Sequence, residues 1–389
     1  MKSFIYKIYT LSFFSDLVFI YPIYTIMFAD RGLTPIQIST LLFIWSGTSF
    51  LLEVPSGVLA DKYSRKNILL FAESSRIVGY TFWLLMPNFT GFLMGFILWG
   101  IKSAFTSGTF EAMVYDELKA NNEEGKYIKI QGVIQSLQFL AFIFAGIGAT
   151  LAISNGYSFV LVISILSLII SALSILSLPK VEKNQTTGEK EYFNLLKDGL
   201  TFSIKSPNIL RIIIFISLGQ AIFGALDEYW SIFATQSGLL KQGLGLFFVV
   251  YGLVQALASI IAYKFEKFDK RFFEGLFLFN GILLMVASYF YTVSTLILLI
   301  IFSFLFKLID TVTNSRLQHQ INNQEIRATV TSAKGFFVEL IVMAFYLMFG
   351  IIATYFNYQL AFMVVGITVS TIGIYYLLSH SLIKEGVRG

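Results

Sequence analysis

The sequence lacks cysteine altogether and has only two histidines among its 389 residues. Without cysteine the chain can form no disulfide bond, no thiolate metal site and no thiol nucleophile. His319 and His380 both lie near the ends of apolar segments, and we find no Walker loop, no HExxH sequence and no nucleophile elbow. These absences argue against a membrane enzyme and against an ATP-driven pump within this chain.

Charged residues are scarce as well. They make up 13% of the chain, against roughly 25% in an ordinary soluble domain, while hydrophobic residues make up 56%. The net charge is +5, but the basic residues are dispersed among short loops instead of forming one patch. The composition therefore indicates a protein embedded in a lipid bilayer and gives no support for binding nucleic acid.

Twelve apolar stretches, each long enough to cross a bilayer, fill almost the whole chain. A hydrocarbon core of about 30 Å requires about 20 helical residues. We predict helices because the strands of a membrane barrel would be only about 10 residues long, with alternating polarity. The predicted spans cover residues 4–29, 35–59, 67–87, 90–118, 128–153, 157–178, 208–236, 243–265, 272–292, 294–318, 328–355 and 357–383.

Lys and Arg are distributed unevenly between the gaps that separate these spans. Alternate gaps and the two termini hold nearly all of them, and only Arg31 and Lys241 fall in the opposite gaps. By the positive-inside rule we expect both termini to be cytoplasmic, in a multi-pass protein of the cytoplasmic membrane. The first span contains Asp16 and has no clear cleavage site, so we expect it to remain as a helix.

One long polar segment, residues 179–207, divides the chain into a six-helix half at 1–178 and another at 208–389. Its second part is either a solvated linker or an amphipathic surface helix with Phe193, Leu196 and Leu200 on one face. Short sequence matches recur after spans 2 and 8 and after spans 4 and 10, at nearly the same offset. Six helices per half make the repeats parallel, as in transporters whose halves move about a central site.

The loop between spans 2 and 3 carries a specific motif. Residues 57–66 read Gly-Val-Leu-Ala-Asp-Lys-Tyr-Ser-Arg-Lys, which resembles the signature loop of the major facilitator superfamily, with Ser64 where that family usually has glycine. The resemblance implies an all-α fold of two six-helix bundles around a central cavity. It also implies solute movement by alternating access, without a cofactor, a metal or covalent chemistry, and we expect a monomer.

We interpret this loop as a cytoplasmic gate. Gly57 would let helices approach closely, and Asp61 could accept hydrogen bonds at a neighbouring helix N-terminus. Arg65 could pair with a carboxylate on an adjacent helix end, for which Asp116 is the candidate. The alternative is a basic loop that only obeys the topology rule. The predicted gate comprises Gly57, Asp61, Arg65, Lys66 and Asp116.

Charges inside a bilayer are costly, so each is a candidate functional group. Spans 1, 4, 7 and 10, which the family resemblance places around the cavity, carry Asp16, Lys102, Asp227, Glu228, Lys307 and Asp310. We hypothesise that Asp16 or Asp227 takes up the coupling proton. The structural alternative is pairing along a helix, because Lys307 with Asp310 and Glu73 with Arg76 have i,i+3 spacing, and we favour it for the second pair.

Aromatic side chains suggest an amphipathic substrate. Tyr21, Tyr24, Trp45, Trp99 and Trp230 could line an aromatic cavity, although packing or interfacial anchoring is the alternative for each. Resemblance to the drug-efflux branch favours proton-coupled export of small amphipathic compounds. The competing hypothesis is a carrier for a polar or anionic metabolite such as a metal chelator, with Lys102 and Lys307 contacting its carboxylates. Replacing both lysines should abolish transport only of an anionic solute.

Overall fold

The computed structural model describes residues 1–179, 201, 207–320 and 324–385. Within the helices it does not describe the side chains at 54, 58, 60–62, 207–209, 320, 324–329, 332 and 380–385. The predicted linker, with Phe193, Leu196 and Leu200, lies almost entirely outside the described residues, and so does the side chain of Asp61.

The described chain is all-helical, and twelve of its helical segments are long and apolar enough to cross a membrane, as predicted. The six N-terminal spans are formed by α1 (Lys2–Asp16) with α2 (Tyr24–Asp30), α3 (Pro35–Lys62), α4 (Arg65–Leu85), α5 (Phe89–Thr106) with α6 (Thr109–Ala120), α7 (Tyr127–Ala152) and α8 (Tyr157–Leu176). The other six are formed by α9 (Pro207–Asp227) with α10 (Trp230–Gln236), α11 (Lys241–Ile261), α12 (Lys270–Phe290), α13 (Leu296–Gln320), α14 (Gln324–Tyr355) and α15 (Tyr358–Glu385).

Side-chain caps fix where several helices begin. The Ser64, Asn88 and Asp269 side chains each accept a hydrogen bond from a backbone N–H in the first turn of α4, α5 and α12. Such a cap satisfies one of the amides that have no partner within the helix. Ser64, which departs from the family motif, is therefore well suited to start α4.

Three spans that the sequence predicted as continuous helices are interrupted. In span 1 the helix α1 ends at Asp16, and in span 7 the helix α9 ends at Asp227. Span 4 breaks before Thr109, where Gly108 has a φ of 70° that suits glycine. Hydropathy could not indicate these breaks, because the residues on both sides are equally apolar.

The chain divides into two compact units. Unit 1 comprises Met1–Leu33, Thr40–Leu195 and Lys241–Val249, and unit 2 comprises Thr34–Ser39, Leu196–Leu240 and Val250–Gly389. The start of α11 thus packs with unit 1. There Lys241 Nζ and the Tyr157 hydroxyl both contact the carboxylate of Asp30.

Glycines allow the closest helix contacts within each unit. In unit 1, a Cβ added at Gly146 of α7 would lie 2.7 Å from the carbonyl oxygen of Gly245 on α11. In unit 2, a Cβ at Gly366 of α15 would lie 3.0 Å from the carbonyl oxygen of Gly281 on α12. Small residues of this kind let helix backbones meet in a membrane, where apolar burial alone does not drive association.

Candidate functional site

The interruption of span 1 brings a charged residue to a helix end inside the membrane. Helix α1 ends at Asp16, and helical structure resumes only at Tyr21. Arg76 of α4, which is buried, donates from Nη1 to the carbonyl oxygen of Ser15 at 2.9 Å. A neighbouring helix therefore supplies the hydrogen bond that the next turn of α1 would have given.

Two buried serines of α8 satisfy further backbone groups at the same break. Ser167 Oγ donates to the carbonyl oxygen of Phe14 at 2.8 Å, and Ser164 Oγ accepts from the backbone N–H of Ile20 at 3.0 Å. An unsatisfied backbone group in a bilayer costs several kcal/mol. The break in span 1 is thus specified by donors and acceptors from distant parts of the sequence.

Four ionisable side chains gather around this break, with opposite charges in equal number. Lys102 of α5 interacts electrostatically with Arg76, Glu73 and Asp16. Glu73 and Arg76 are 3% and 5% exposed, whereas Asp16 and Lys102 are partly exposed. The predicted charges Asp16 and Lys102 therefore lie close enough to influence each other. Glu73 and Arg76, which the sequence analysis interpreted as a structural ion pair, belong to the same group of charges.

Glu73 and Arg76 do not form the direct ion pair expected from their i,i+3 spacing. Ser15 Oγ donates to Glu73 Oε2 at 3.3 Å, and Arg76 Nη2 donates to the hydroxyl of Tyr80 at 3.3 Å. The expectation was wrong because Ser15 lies between them, with its hydroxyl bound to one charge and its carbonyl to the other. Both buried charges therefore hold the end of α1.

Asp16 and Lys102 differ from Glu73 and Arg76 in their direct contacts. Within the described part of the chain, neither the Asp16 carboxylate nor the Lys102 ammonium makes a hydrogen bond or a direct ion pair. Each is partly exposed.

Of the aromatic residues predicted to line a cavity in unit 1, Tyr21 and Trp45 are partly exposed, whereas Tyr24 and Trp99 are buried. The Tyr24 ring packs among those of Trp83 and other neighbours, as the packing alternative allows. Trp45 Nε1 is buried and has no hydrogen-bond partner among the described residues. Its ring lies 5.5 Å from that of Trp99, centroid to centroid.

The interruption of span 7 repeats that of span 1 in unit 2. Helix α9 ends at Asp227, and α10 begins at Trp230. Asp227 Oδ1 accepts a hydrogen bond from Trp230 Nε1 at 3.0 Å and another from the hydroxyl of Tyr251. Asp227 is partly exposed, whereas Trp230 and Glu228 are buried. The predicted cavity residues Trp230 and Glu228 are thus less accessible than Asp227, to which the Trp230 side chain is hydrogen-bonded.

A polar network joins three helices of unit 2. Lys307 Nζ lies 3.5 Å from Asp310 Oδ2, as the i,i+3 spacing allows. Gln220 of α9 and Asn314 of α13 donate to Asp310 Oδ1 at 2.7 and 2.6 Å. Lys334 of α14 donates to Asn314 Oδ1 at 2.8 Å. Lys307 and Asp310 are therefore already compensated, unlike Asp16 and Lys102.

Sequence reasoning missed the neutral members of these networks. Gln220 precedes Asp227 by seven residues and so shares its helix face, and Asn314 follows Asp310 by one turn. In α8, serines recur at helical spacing, which could have indicated a polar face inside the membrane: Ser164, Ser167, Ser171 and Ser174. Spacing alone did not reveal which backbone groups they bind.

The loop between spans 2 and 3 contains the predicted contact. Arg65 Nη1 donates to Asp116 Oδ2, where α6 lies beside the start of α4. Lys66 Nζ donates to the carbonyl oxygens of Leu176 and Leu178 at 2.6 Å each, at the end of α8. A Cβ at Gly57 would meet no described atom within 4 Å, so the close helix approach expected there is absent among the described residues.

Twelve membrane spans, in which the first and the seventh are both interrupted after an aspartate, are typical of a secondary transporter. The comparison with known families agrees. A model described as "Major Facilitator Superfamily" matches residues 8–326, and the chain belongs to that family. It is a membrane transporter and not an enzyme.

Individual relatives are distant in sequence. The chain is 21% identical over 235 residues to an uncharacterised MFS-type transporter, YxaM, of Bacillus subtilis (strain 168), an alignment that covers 60% of this chain. The alignment spans 58% of that relative's length.

Solved structures of transporters share the fold. The nucleoside transporter NupG superposes with a TM-score of 0.78 at 13% identity, covering 97% of this chain and 99% of NupG. A bacterial homologue of the human lysosomal transporter Spinster, inward-facing and occupied, gives a TM-score of 0.74 at 13% identity, covering 98% and 96%. A D-xylose–proton symporter gives 0.67 at 14% identity, covering 96% of each chain. At such identities the likeness establishes the fold alone.

Proposed function

We propose that this transporter exports small amphipathic organic compounds across the cytoplasmic membrane in exchange for protons, by alternating access. One observation carries the proposal. The first span of each six-helix half is interrupted directly after an aspartate, at Asp16 and at Asp227. Interrupted helices in corresponding positions of two repeats point to the binding site of a transporter.

The position of each aspartate argues for a functional role. The C-terminal end of a helix carries partial negative charge, so a carboxylate there is electrostatically unfavourable. A proton or a bound cation removes that repulsion. Because burial and neighbouring charges set the proton affinity of a carboxyl group, a conformational change that alters either one can couple proton release to solute movement.

The cytoplasmic loop supports the alternating-access part of the proposal. The ion pair between Arg65 and Asp116 joins the start of α4 to α6, and Lys66 joins α4 to the end of α8. We assign these contacts to the closed form of the cytoplasmic gate. Asp61, whose side chain is outside the described part of the chain, stays a predicted member of it. Opening the gate would require these contacts to break.

A second candidate function is the transport of a polar or anionic metabolite. The unpaired Lys102 favours it, because an anionic group on the solute would compensate that charge. Lys307 favours it less, because Asp310 already lies 3.5 Å away.

Solute-driven proton movement in proteoliposomes tests the leading proposal. The vesicles contain a pH-sensitive dye and receive neutral, cationic, anionic and zwitterionic amphipathic compounds in turn. We expect at least one class to move protons, and Asp16→Asn or Asp227→Asn to reduce the rate at least tenfold with normal reconstitution. Glu123→Gln, in an exposed pair with Lys126, is the control. Undiminished proton movement in both aspartate variants, or none with any compound, rejects the coupling.

A further inference from the structure

We propose that the transported solute is a zwitterion, with its ammonium group on Asp16 and its acidic group on Lys102. Both binding groups belong to unit 1. This inference deepens the proposed function, because it assigns a substrate class to the site at the break in span 1.

The end of α1 suits an organic ammonium group better than a metal ion. Unwound carbonyl groups coordinate metal cations in some transporters. Here the carbonyls of Phe14 and Ser15 already accept hydrogen bonds from Ser167 and Arg76, so they are not available as metal ligands. The Asp16 carboxylate remains as the acceptor, and a single carboxylate is a common partner of an amine.

Lys102 supplies the complementary charge. Its ammonium lies within a membrane span, is partly exposed and has no direct acceptor among the described residues. The nearby carboxylate of Glu73 accepts instead from Ser15. A cation at this depth is costly without a partner, so an acidic group on the solute would supply the direct contact that Glu73 and Asp16 do not make.

The two free charges are kept from neutralising each other. Asp16 and Lys102 interact electrostatically but form no ion pair, because Arg76 and Glu73 fix the end of α1 through Ser15. A zwitterion compensates both charges at once. A solute with one charge leaves the other group uncompensated in a low-dielectric site, which is unfavourable.

The partly exposed rings of Tyr21 and Trp45 both lie against the buried ring of Trp99. Tyr21 begins the turn that follows Asp16, and Trp99 precedes Lys102 by one helical turn. The centroids of the Tyr21 and Trp99 rings are 6.1 Å apart. Trp45, beside Trp99, has a buried N–H with no acceptor in the described parts of the chain. We therefore expect an aromatic or similarly flat apolar body between the charged groups.

The two charge contacts can be tested independently by comparing each zwitterionic ligand with derivatives that lack one of its charges. Binding of phenylalanine, tryptophan and phenylalanylphenylalanine to the purified transporter is measured by equilibrium dialysis. Each is compared with its methyl ester, which keeps only the positive charge, and its N-acetyl derivative, which keeps only the negative one. For at least one parent we expect binding at least tenfold tighter than to both derivatives.

Substitutions at Asp16 and Lys102 test which side chain contacts which charged group of the ligand. Asp16→Asn should abolish the preference over the N-acetyl derivative, and Lys102→Met should abolish the preference over the methyl ester. Lys126→Met, at an exposed loop position, should retain both. If no parent is preferred, or if either variant keeps the preference that it should lose, the inference is wrong. If only singly charged or neutral compounds then drive proton movement, the proposed proton-coupled transport is still supported, and only the zwitterion inference is rejected. Zwitterion binding without any solute-driven proton movement would instead refute proton-coupled transport, while the assignment of a zwitterionic ligand to the site would still hold.

Discussion

At the scale of single residues, Arg76 is the side chain on which the candidate site depends. Its guanidinium binds the Ser15 carbonyl and the Tyr80 hydroxyl, and it lies 5.2 Å from the centroid of the Trp99 ring. These contacts involve three different helical segments. Arg76 therefore orders the broken end of α1 and at the same time compensates the buried Glu73.

We predict that Arg76→Met strongly destabilises the protein. The substitution leaves the Ser15 carbonyl without its donor, which costs about 1–3 kcal/mol, and leaves the buried Glu73 without a compensating cation. The thermal unfolding midpoint in detergent should fall clearly below that of Arg31→Met, a control at an exposed loop residue.

Combining Glu73→Gln with Arg76→Met should recover part of the loss, since the uncompensated buried charge is then removed. Equal midpoints for Arg76→Met and Arg31→Met would show that Arg76 does not hold the site.

At the scale of helices, the contact between α7 and the start of α11 is the tightest that we describe in unit 1. The two helices meet at Gly146 and Gly245, and a Cβ at Gly146 would also lie 2.8 Å from Cγ2 of Val249. Neither backbone can yield without moving a whole helix. The same segment of α11 begins with Lys241, which binds Asp30.

We predict that Gly146→Val separates these helices, because the added methyl groups exceed the space between them. Cysteines placed at positions 30 and 241 report the change, and the natural sequence adds no background because it has no cysteine. A short thiol cross-linker should join them efficiently in the parent chain and several-fold less in Gly146→Val.

Gly132→Val on the same helix, where a Cβ meets no described atom within 4 Å, is the matched control and should cross-link like the parent. Equal cross-linking in all three proteins would exclude a tight contact at Gly146.

At the scale of the whole molecule, the distribution of Lys and Arg predicts the direction of insertion. Only Arg31 and Lys241 occupy gaps on the side opposite to the termini. Lys241 is compensated there by Asp30. The asymmetry predicts cytoplasmic termini, because positively charged loops are retained on the cytoplasmic side.

We predict that single cysteines at Asn155 and Ser294 react with a membrane-impermeant maleimide in intact cells. Cysteines at Glu124 and Lys267 should react only after the membrane is permeabilised. All four positions are exposed, so access to the reagent decides the result. The reverse pattern would overturn the predicted orientation, and labelling of all four in intact cells would contradict the twelve-span topology.

The sequence by itself determined the number of spans, the all-helical fold and the family. These follow from local properties that a bilayer enforces along the chain, namely hydropathy, helix length and a short loop motif. It also identified Asp16, Lys102 and Asp227 as charges that a membrane does not tolerate without a reason. It could not tell a free charge from a paired one, and it misassigned Glu73 and Arg76.

Only the tertiary structure decided where spans 1 and 7 break and which charges remain unpaired. A helix can end inside a bilayer only if other parts of the chain satisfy its backbone groups. For span 1 those partners are Arg76, Ser164 and Ser167, which lie on two helices distant in sequence. Their positions depend on how α1, α4 and α8 pack together, and no local pattern in the sequence contains that information.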